Sequence, residues 1–460
     1  MPYSPAFPSV ADRLAIVDWY WRTRQRSTAL FDMLDASAYY AQPIALRHPI
    51  VFYEGHLAAF SLNTLVKKAL GRPGIDARLE RLFARGIDPD DTDGARGAAP
   101  DAWPTRDEVR AFAGAADALV VDALEHADLD RPGVPLLEGG EAVYAIIEHE
   151  QMHQETMLYM WHRLPCAQKK MPNVPASVLP PPPEPRTSPS LPASLQRAPR
   201  LGVPAGRIRL GACRGDMPFG WDNEFEGIEV DVPAFAIDQT NVTNGAFLEF
   251  VEAGGYRDPR WWTAAAWQWL RDEHLEHPLF WETANGAWLW RSMFSSLPLP
   301  LDAPVYVSQA EAAAYCRWTG ARLPTEAEYQ RAAYGTPSGD ERRPFPWGDE
   351  PADTTRAVLD FTAWDPQPVG LRPRGQSAWG VEDLVGNGWE WTSSVFAPFP
   401  GFEPLASYPQ YSADFFDSQH YVMKGASPVT ARELVRPTFR NWFRPCYPYV
   451  YATFRGVLEG

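Results

Sequence analysis

The sequence predicts an α-helical bundle followed by an α+β domain in which loops outweigh regular elements. Three observations carry this. Apolar residues recur at helical spacing in long segments before residue 164. Eleven prolines then crowd between Pro165 and Pro199, including the run Pro180-Pro181-Pro182-Pro183. Beyond them, short strand-like runs are separated by stretches rich in Gly, Pro and Trp, and the chain holds 19 Trp in all. The expected division is a bundle over residues 1–164, a linker over 165–200 and an α+β domain over 201–460.

In the first part, Leu14, Val17, Trp21, Leu30 and Met33 recur at helical intervals, predicting a helix over 10–34. A second is expected over 50–70. A third runs over 105–126, with Thr105 as N-cap and Glu108 three residues on, the pattern of a capping box. Gly139-Gly140 breaks the chain before a fourth, over 140–162. Four amphipathic segments read as a four-helix bundle. Residues 86–104, rich in Asp, Gly, Ala and Pro, read as a surface loop. The proline-rich stretch lacks either periodicity and should be extended and solvent-exposed.

In the second part, Ile208-Arg209-Leu210 and Ala234-Phe235-Ala236-Ile237 read as strands, and 244–253 and 309–318 as helices. Glu326 and Glu328 open a further helix after Pro324, where carboxylates favour the N-terminal dipole. Trp389 and Trp391 alternate with polar residues, as in a strand with one buried face.

Composition excludes several functions. Lys and Arg total 42 against 58 Asp and Glu, a net charge of −16, so no nucleic-acid partner is expected. No apolar run approaches about 18 residues, so no membrane span is expected. Asp12, Arg13, Asp18 and Arg22 interrupt any apolar core of a signal peptide. Four cysteines, Cys166, Cys213, Cys316 and Cys446, form no CxxC, which fits a reduced, cytoplasmic compartment.

The chemistry gathers in Glu148-His149-Glu150-Gln151-Met152-His153. Histidines four apart share one helix face and can share a metal; two ordinary structural histidines would look the same. The segment also matches HExxH, in which the glutamate serves a zinc peptidase as base. The extended form of that motif needs Gly and His where Thr156 and Tyr159 stand, and the proline stretch leaves no room for a further ligand helix. A third ligand is better sought in the bundle. His56 lies one turn into the second helix, beside Gly55, which would admit a close neighbour. With His149 and His153 it would make a three-histidine site. His48 precedes a proline and reads as a helix-start residue; His126, His162, His274, His277 and His420 read as structural or surface.

This arrangement resembles the ergothioneine- and ovothiol-type sulfoxide synthases: a DinB-like bundle carrying three histidines, a linker, and a formylglycine-generating-enzyme-like domain of C-type-lectin type. The second part carries that domain's marks in Ala314-Tyr315-Cys316-Arg317-Trp318, Arg322-Leu323-Pro324-Thr325-Glu326-Ala327-Glu328-Tyr329, Pro346-Trp347-Gly348-Asp349, Gly386-Asn387-Gly388-Trp389-Glu390-Trp391-Thr392 and Phe454-Arg455-Gly456. The resemblance implies Fe(2+) held by His56, His149 and His153, O2 as co-substrate, and hercynine, the trimethyl betaine of histidine, as acceptor of a sulfur or selenium donor at imidazole C2. Three neutral imidazoles would leave open positions on the ion. Within Tyr408-Pro409-Gln410-Tyr411 it implies Tyr408 as catalytic proton or hydrogen-atom donor and Tyr411 as pocket wall. In Arg440-Asn441-Trp442 it implies Asn441 on the hercynine carboxylate and Trp442 against the trimethylammonium, a cation that aromatic faces recognise.

Two departures bear on the donor. Met152 stands where mycobacterial-type ergothioneine synthases have a substrate-contacting Gln, and Phe443 where they carry an Asp that helps hold γ-glutamylcysteine. Arg47-His48-Pro49-Ile50-Val51-Phe52-Tyr53, Gly86-Ile87-Asp88 and Trp103-Pro104-Thr105 look closer to the ovothiol and selenoneine synthase branches. Ovothiol synthases usually add a C-terminal methyltransferase, and no GxGxxG-type loop precedes Gly460. The resemblance therefore implies selenoneine synthesis from a selenosugar, with cysteine or γ-glutamylcysteine as the rival donor. A non-catalytic betaine-binding sensor is the reading of another class. Formylglycine generation would need a copper-binding cysteine pair, for which Cys316 and Cys446 offer no motif.

Overall fold

The computed structural model describes residues 7–84, 103–181, 198–340 and 343–460. Most of the loop expected over 86–104, with Gly86-Ile87-Asp88, and residues 182–197 of the expected linker lie outside these. The chain divides into two compact units, Phe7–Leu179 and Pro180–Gly460. Among the described residues, no helix is long and apolar enough to cross a membrane.

The first unit is built on α1 (Arg13–Asp32), α2 (Ile50–Ser61), α3 (Ala77–Leu82), α4 (Arg106–His126) and α5 (Glu141–Arg163). Local chemistry starts each one. Asp12 caps α1 by accepting the Ala15 N–H, and Pro49 supplies the fixed φ before α2. Thr105 accepts the Glu108 N–H at the start of α4. The expected capping box is only half made, because the Glu108 carboxylate takes Arg78 instead. Gly139 and Gly140 both have positive φ ahead of α5, and a Cβ on Gly140 would meet Val10 Cγ1 at 2.4 Å. The second predicted helix does reach the 60s, but residues Leu62–Ala69 widen into a π-helical run.

The apolar spacing that predicted α1 coincides with its buried face only in part: Leu30 and Met33 are buried. Leu14 is 85% exposed and Trp21 46%, while Ile16, Trp19, Tyr20, Thr23, Arg24, Ser27 and Leu30 are buried. Apolar spacing pointed the wrong way because part of the buried face is polar. Tyr20, Arg24 and Ser27 are tolerated there because Asp117, Glu150 and Gln154 meet them inside. The proline-rich stretch also begins differently from expectation. Lys169 bridges to Leu34 and donates from Nζ to Trp161 O at 2.9 Å, and Val178 O accepts from Arg26. Residues up to 179 therefore pack on the bundle rather than extending into solvent.

The second unit is α+β. Its four-stranded sheet runs Asn441–Phe443, Tyr421–Ala426, Gly388–Val395, Ala452–Thr453, the last pair parallel. A three-stranded sheet joins Arg200–Val203, Phe235–Asp238 and Val457–Glu459, and a hairpin pairs Gly206–Leu210 with Ile228–Val232. The helices are α6 (Asn244–Glu252), α7 (Ala264–Asp272), α8 (Gln309–Trp318), α9 (Glu326–Tyr334) and the single turn α10 (Gln410–Ala413). Capping boxes open α8 (Ser308 with Glu311) and α9 (Thr325 with Glu328).

Trp389 and Trp391 do lie on a strand, but not one with a solvent face. Glu390 between them and Thr392 after them are fully buried too. A central strand can bury a glutamate only with its charge answered. Arg455, itself fully buried, meets Glu390 with two bonds of 2.7 Å. The Phe454-Arg455-Gly456 and Gly386–Thr392 motifs are thus two halves of one internal ion pair. Arg436 with Glu224, and Arg440 with Glu326, anchor neighbouring loops in the same way.

Candidate metal centre

Among the described residues, one group of metal-ligating side chains converges: His56 from α2 with His149 and His153 from α5, all buried, with ligand atoms within 4.8 Å of one another. The i,i+4 spacing puts the α5 pair on one face, and α2 packs against that face. Ring centroids lie 5.1 Å (His56–His149), 5.0 Å (His56–His153) and 4.4 Å (His149–His153) apart.

The tautomer of His56 follows from its partner. Its Nδ1 lies 2.7 Å from Phe83 O, and a carbonyl can only accept, so Nδ1 carries the proton. The lone pair is then on Nε2, which is buried without a hydrogen-bond partner among the described residues. A bond of this kind, from the nitrogen opposite the metal-facing one to a carbonyl, fixes the orientation of a metal-binding imidazole. Gly55 makes this possible: a Cβ there would stand 2.4 Å from the Phe83 ring. The close approach expected at Gly55 is thus that of Phe83.

The group fits a metal ion. His149 Nε2 and His153 Nε2 stand 3.1 Å apart. Two imidazole nitrogens about 2.1 Å from one ion and at right angles would be about 3.0 Å apart. Burial holds His56 down to about 4, and it pushes His149 and His153 well below the usual imidazole range, with mutual repulsion adding to it. All three are therefore neutral at physiological pH, the form in which imidazole ligates. Among the described residues no carboxylate joins the group. Glu150 faces α1, where it accepts from Arg24 at 2.9 Å, so it is committed elsewhere and the zinc-peptidase reading of HExxH loses its base.

Aromatic rings wall the centre. Phe60 stacks on His149 at 3.6 Å, and Phe52 lies between His48 (4.1 Å) and His56 (4.9 Å). His48 is accordingly a stacked, buried ring rather than merely a residue before a helix. Phe52 and Phe60 sit four residues either side of His56, a spacing that places all three on one helix face and is readable in sequence. Phe83 had no such signal, since its main-chain carbonyl acts, not its identity. Met152, on α5, is half-buried.

The second unit gathers the tyrosine and tryptophan expectations into one cluster. Tyr408 and Tyr411 are 5.8 Å apart, and Tyr411 meets Trp442 edge-on at 5.2 Å. Trp221 stacks under Tyr411 at 4.0 Å and Phe396 under Trp442 at 4.2 Å. Asn441 Oδ1 accepts from Trp442 N at 2.9 Å, leaving its amide N–H groups as donors. Phe443 stacks on Tyr447 at 4.9 Å.

Known proteins match both units. Residues 189–459 match the sulfatase-modifying factor enzyme 1-like domain, and residues 20–157 the DinB superfamily. Hercynine oxygenase of Mycolicibacterium smegmatis is 34% identical over 354 residues, 76% of this chain and 77% of that protein. The chain belongs to the hercynine oxygenase family. The Mycobacterium tuberculosis hercynine oxygenase is 41% identical over 54% of this chain and 57% of its own length. Ergothioneine biosynthesis protein 1 of Neurospora crassa is 28% identical over 98% of this chain and 59% of that protein. Apart from the M. smegmatis protein, the chain thus spans little more than half of these hercynine-oxygenase-family relatives.

Proposed function

We propose that this chain is a mononuclear iron(II), O2-dependent enzyme that joins a chalcogen donor to imidazole C2 of hercynine. The observation that carries the proposal is the buried, neutral, convergent three-histidine group in a chain of the hercynine oxygenase family. His56, His149 and His153 would hold the ion, which when bound brings O2 and the two substrates together and accepts electron density from them. The overall step balances without an outside reductant. One C2–H and one Se–H (or S–H) bond break, a C–Se and a Se–O bond form, and the second oxygen leaves as water.

The remaining roles belong to side chains. Trp442, braced by Phe396, offers a π face to the trimethylammonium, which has no N–H to donate. Asn441 donates its amide N–H to the betaine carboxylate. Tyr408 Oη supplies a proton, and Tyr411 holds the pocket wall between Trp221 and Trp442.

For the donor we favour a selenosugar. Phe443, where mycobacterial-type enzymes carry an Asp, stacks on Tyr447 and offers an aromatic face in place of a carboxylate side chain. The second reading, a thiol donor (cysteine or γ-glutamylcysteine), is favoured by the similarity to a protein named for ergothioneine biosynthesis. Iron-loaded protein should consume O2 with hercynine and a selenosugar, giving a product heavier by one oxygen than the selenoether. Turnover with cysteine or γ-glutamylcysteine alone would reassign the donor. Protein that binds a betaine but no iron would favour the sensor.

A further inference from the structure

Helix α5 presents its ligands on one side and a second polar stripe a quarter-turn away. Glu150 and Gln154 each directly follow a ligand, and one helical step is about 100°. Both are buried and both reach α1. Glu150 Oε1 accepts from Arg24 Nη1 at 2.9 Å, while Gln154 Nε2 donates to Thr23 O at 2.8 Å and Ser27 Oγ at 3.0 Å. Two turns on, Trp161 Nε1 donates to Leu30 O at 2.9 Å. Arg24 is itself held by Asp117 of α4, with Nε 2.9 Å from Oδ1, and Tyr20 donates to the same carboxylate at 2.7 Å.

Apolar packing between helices is non-directional and lets them turn or slide at little cost. Buried hydrogen bonds do not, because breaking one strands a desolvated group. The tolerance at a metal is small. At a radius of about 6 Å, a 10° turn of a helix moves a ring nitrogen by about 1 Å, against a coordination tolerance of about 0.2 Å. His56 is fixed separately by Phe83. Closure of the triangle thus depends on the rotational register of α5.

We propose that Glu150 and Gln154 are positioning residues of the metal centre: by clamping α5 to α1 they set the register that brings His149 and His153 to His56. The inference rests on reading the three histidines as a metal site. It explains why α1 buries Thr23, Arg24 and Ser27 where apolar residues would pack more cheaply.

Three measurements on the full chain test it: anaerobic Fe(II) affinity by competition with a chromophoric chelator, the Co(II) d–d absorption spectrum, and melting of the metal-free protein. Gln154→Leu and Glu150→Leu should remain folded, bind Fe(II) at least about 10-fold more weakly and shift the Co(II) bands. Glu150→Gln, which keeps an acceptor for Arg24, should restore affinity. Trp161→Phe removes a bond of the same stripe about 12 Å along the helix from His153, and should lower the melting temperature with affinity unchanged. Should a leucine variant fail to fold, Ser27→Ala carries the test, with affinity falling about 3-fold, the worth of one hydrogen bond. Wild-type affinity and Co(II) spectrum in the folded variants would overturn the clamp alone, as would Trp161→Phe weakening binding equally. Wild-type protein that binds neither metal would overturn the metal reading and the clamp with it.

Discussion

At the scale of single residues, the site depends on what is missing as much as on what is present. Gly55 lacks a Cβ, so the Phe83 ring lies against α2 and its carbonyl takes the His56 proton. Gly55→Ala would gain about 0.5–1 kcal/mol of helix propensity, but a 2.4 Å contact with a fully buried ring outweighs it. We expect a net loss of about 1–2 kcal/mol and weaker Fe(II) binding, read by denaturant unfolding and chelator competition. A second residue-scale prediction concerns Asp222, which burial raises to about 6 although Ser412 donates to it. Its folded form holds the proton more tightly than the unfolded chain, with a pKa near 3.9. The stability it contributes is complete below about pH 4 and is lost as pH rises through 6, by roughly 2–3 kcal/mol. Asp222→Asn should flatten that fall in unfolding curves taken between pH 4 and 7. An unchanged slope would show that Asp222 does not titrate there.

At the scale of elements, the second unit substitutes buried ion pairs for long helices. Its irregular loops meet in the strand Gly388–Val395, where Arg455 answers Glu390 and also donates to Asp238 O and Glu382 O. Arg455→Met would leave a buried carboxylate alone, and should cost about 3–5 kcal/mol in denaturant unfolding followed by tryptophan fluorescence. The double variant Arg455→Met with Glu390→Met should recover part of this, because two apolar groups carry no desolvation debt. Similar logic links Glu326 of the Arg322–Tyr329 motif to Arg440, beside Asn441 and Trp442. Through this pair the motif holds the strand that presents the proposed betaine-binding residues.

At the scale of the molecule, two units with separate cores should unfold with some independence. The three histidines belong to Phe7–Leu179. Iron(II) at about 100 times its Kd should stabilise that unit by about 2.7 kcal/mol. Anaerobic calorimetry should therefore show one transition moving with metal and another, sensitive to Arg455→Met, staying in place. Two transitions that move together would mean that the units unfold as one.

The helical half and its convergent histidines were legible in the sequence, because periodicity, caps and an i,i+4 histidine pair are local properties. Helices α4 and α5 start within a residue of where their caps predicted. The strands and helices of the second half were legible where apolar runs were short and bounded. What local pattern could not supply was direction. It set exposed Leu14 and Trp21 in the same row as buried Leu30 and Met33, took Trp389 and Trp391 for a half-exposed strand, and read residues 165–179 as loose. Each error has one cause: a polar group is inside only if a distant partner meets it, and Arg24, Glu390 and Lys169 find theirs 126, 65 and 8 positions away. Residue types and their spacing thus determined which side chains could ligate. Only the folding of remote segments onto one another decided which tautomer His56 adopts, which face α5 turns inward and which charges are buried.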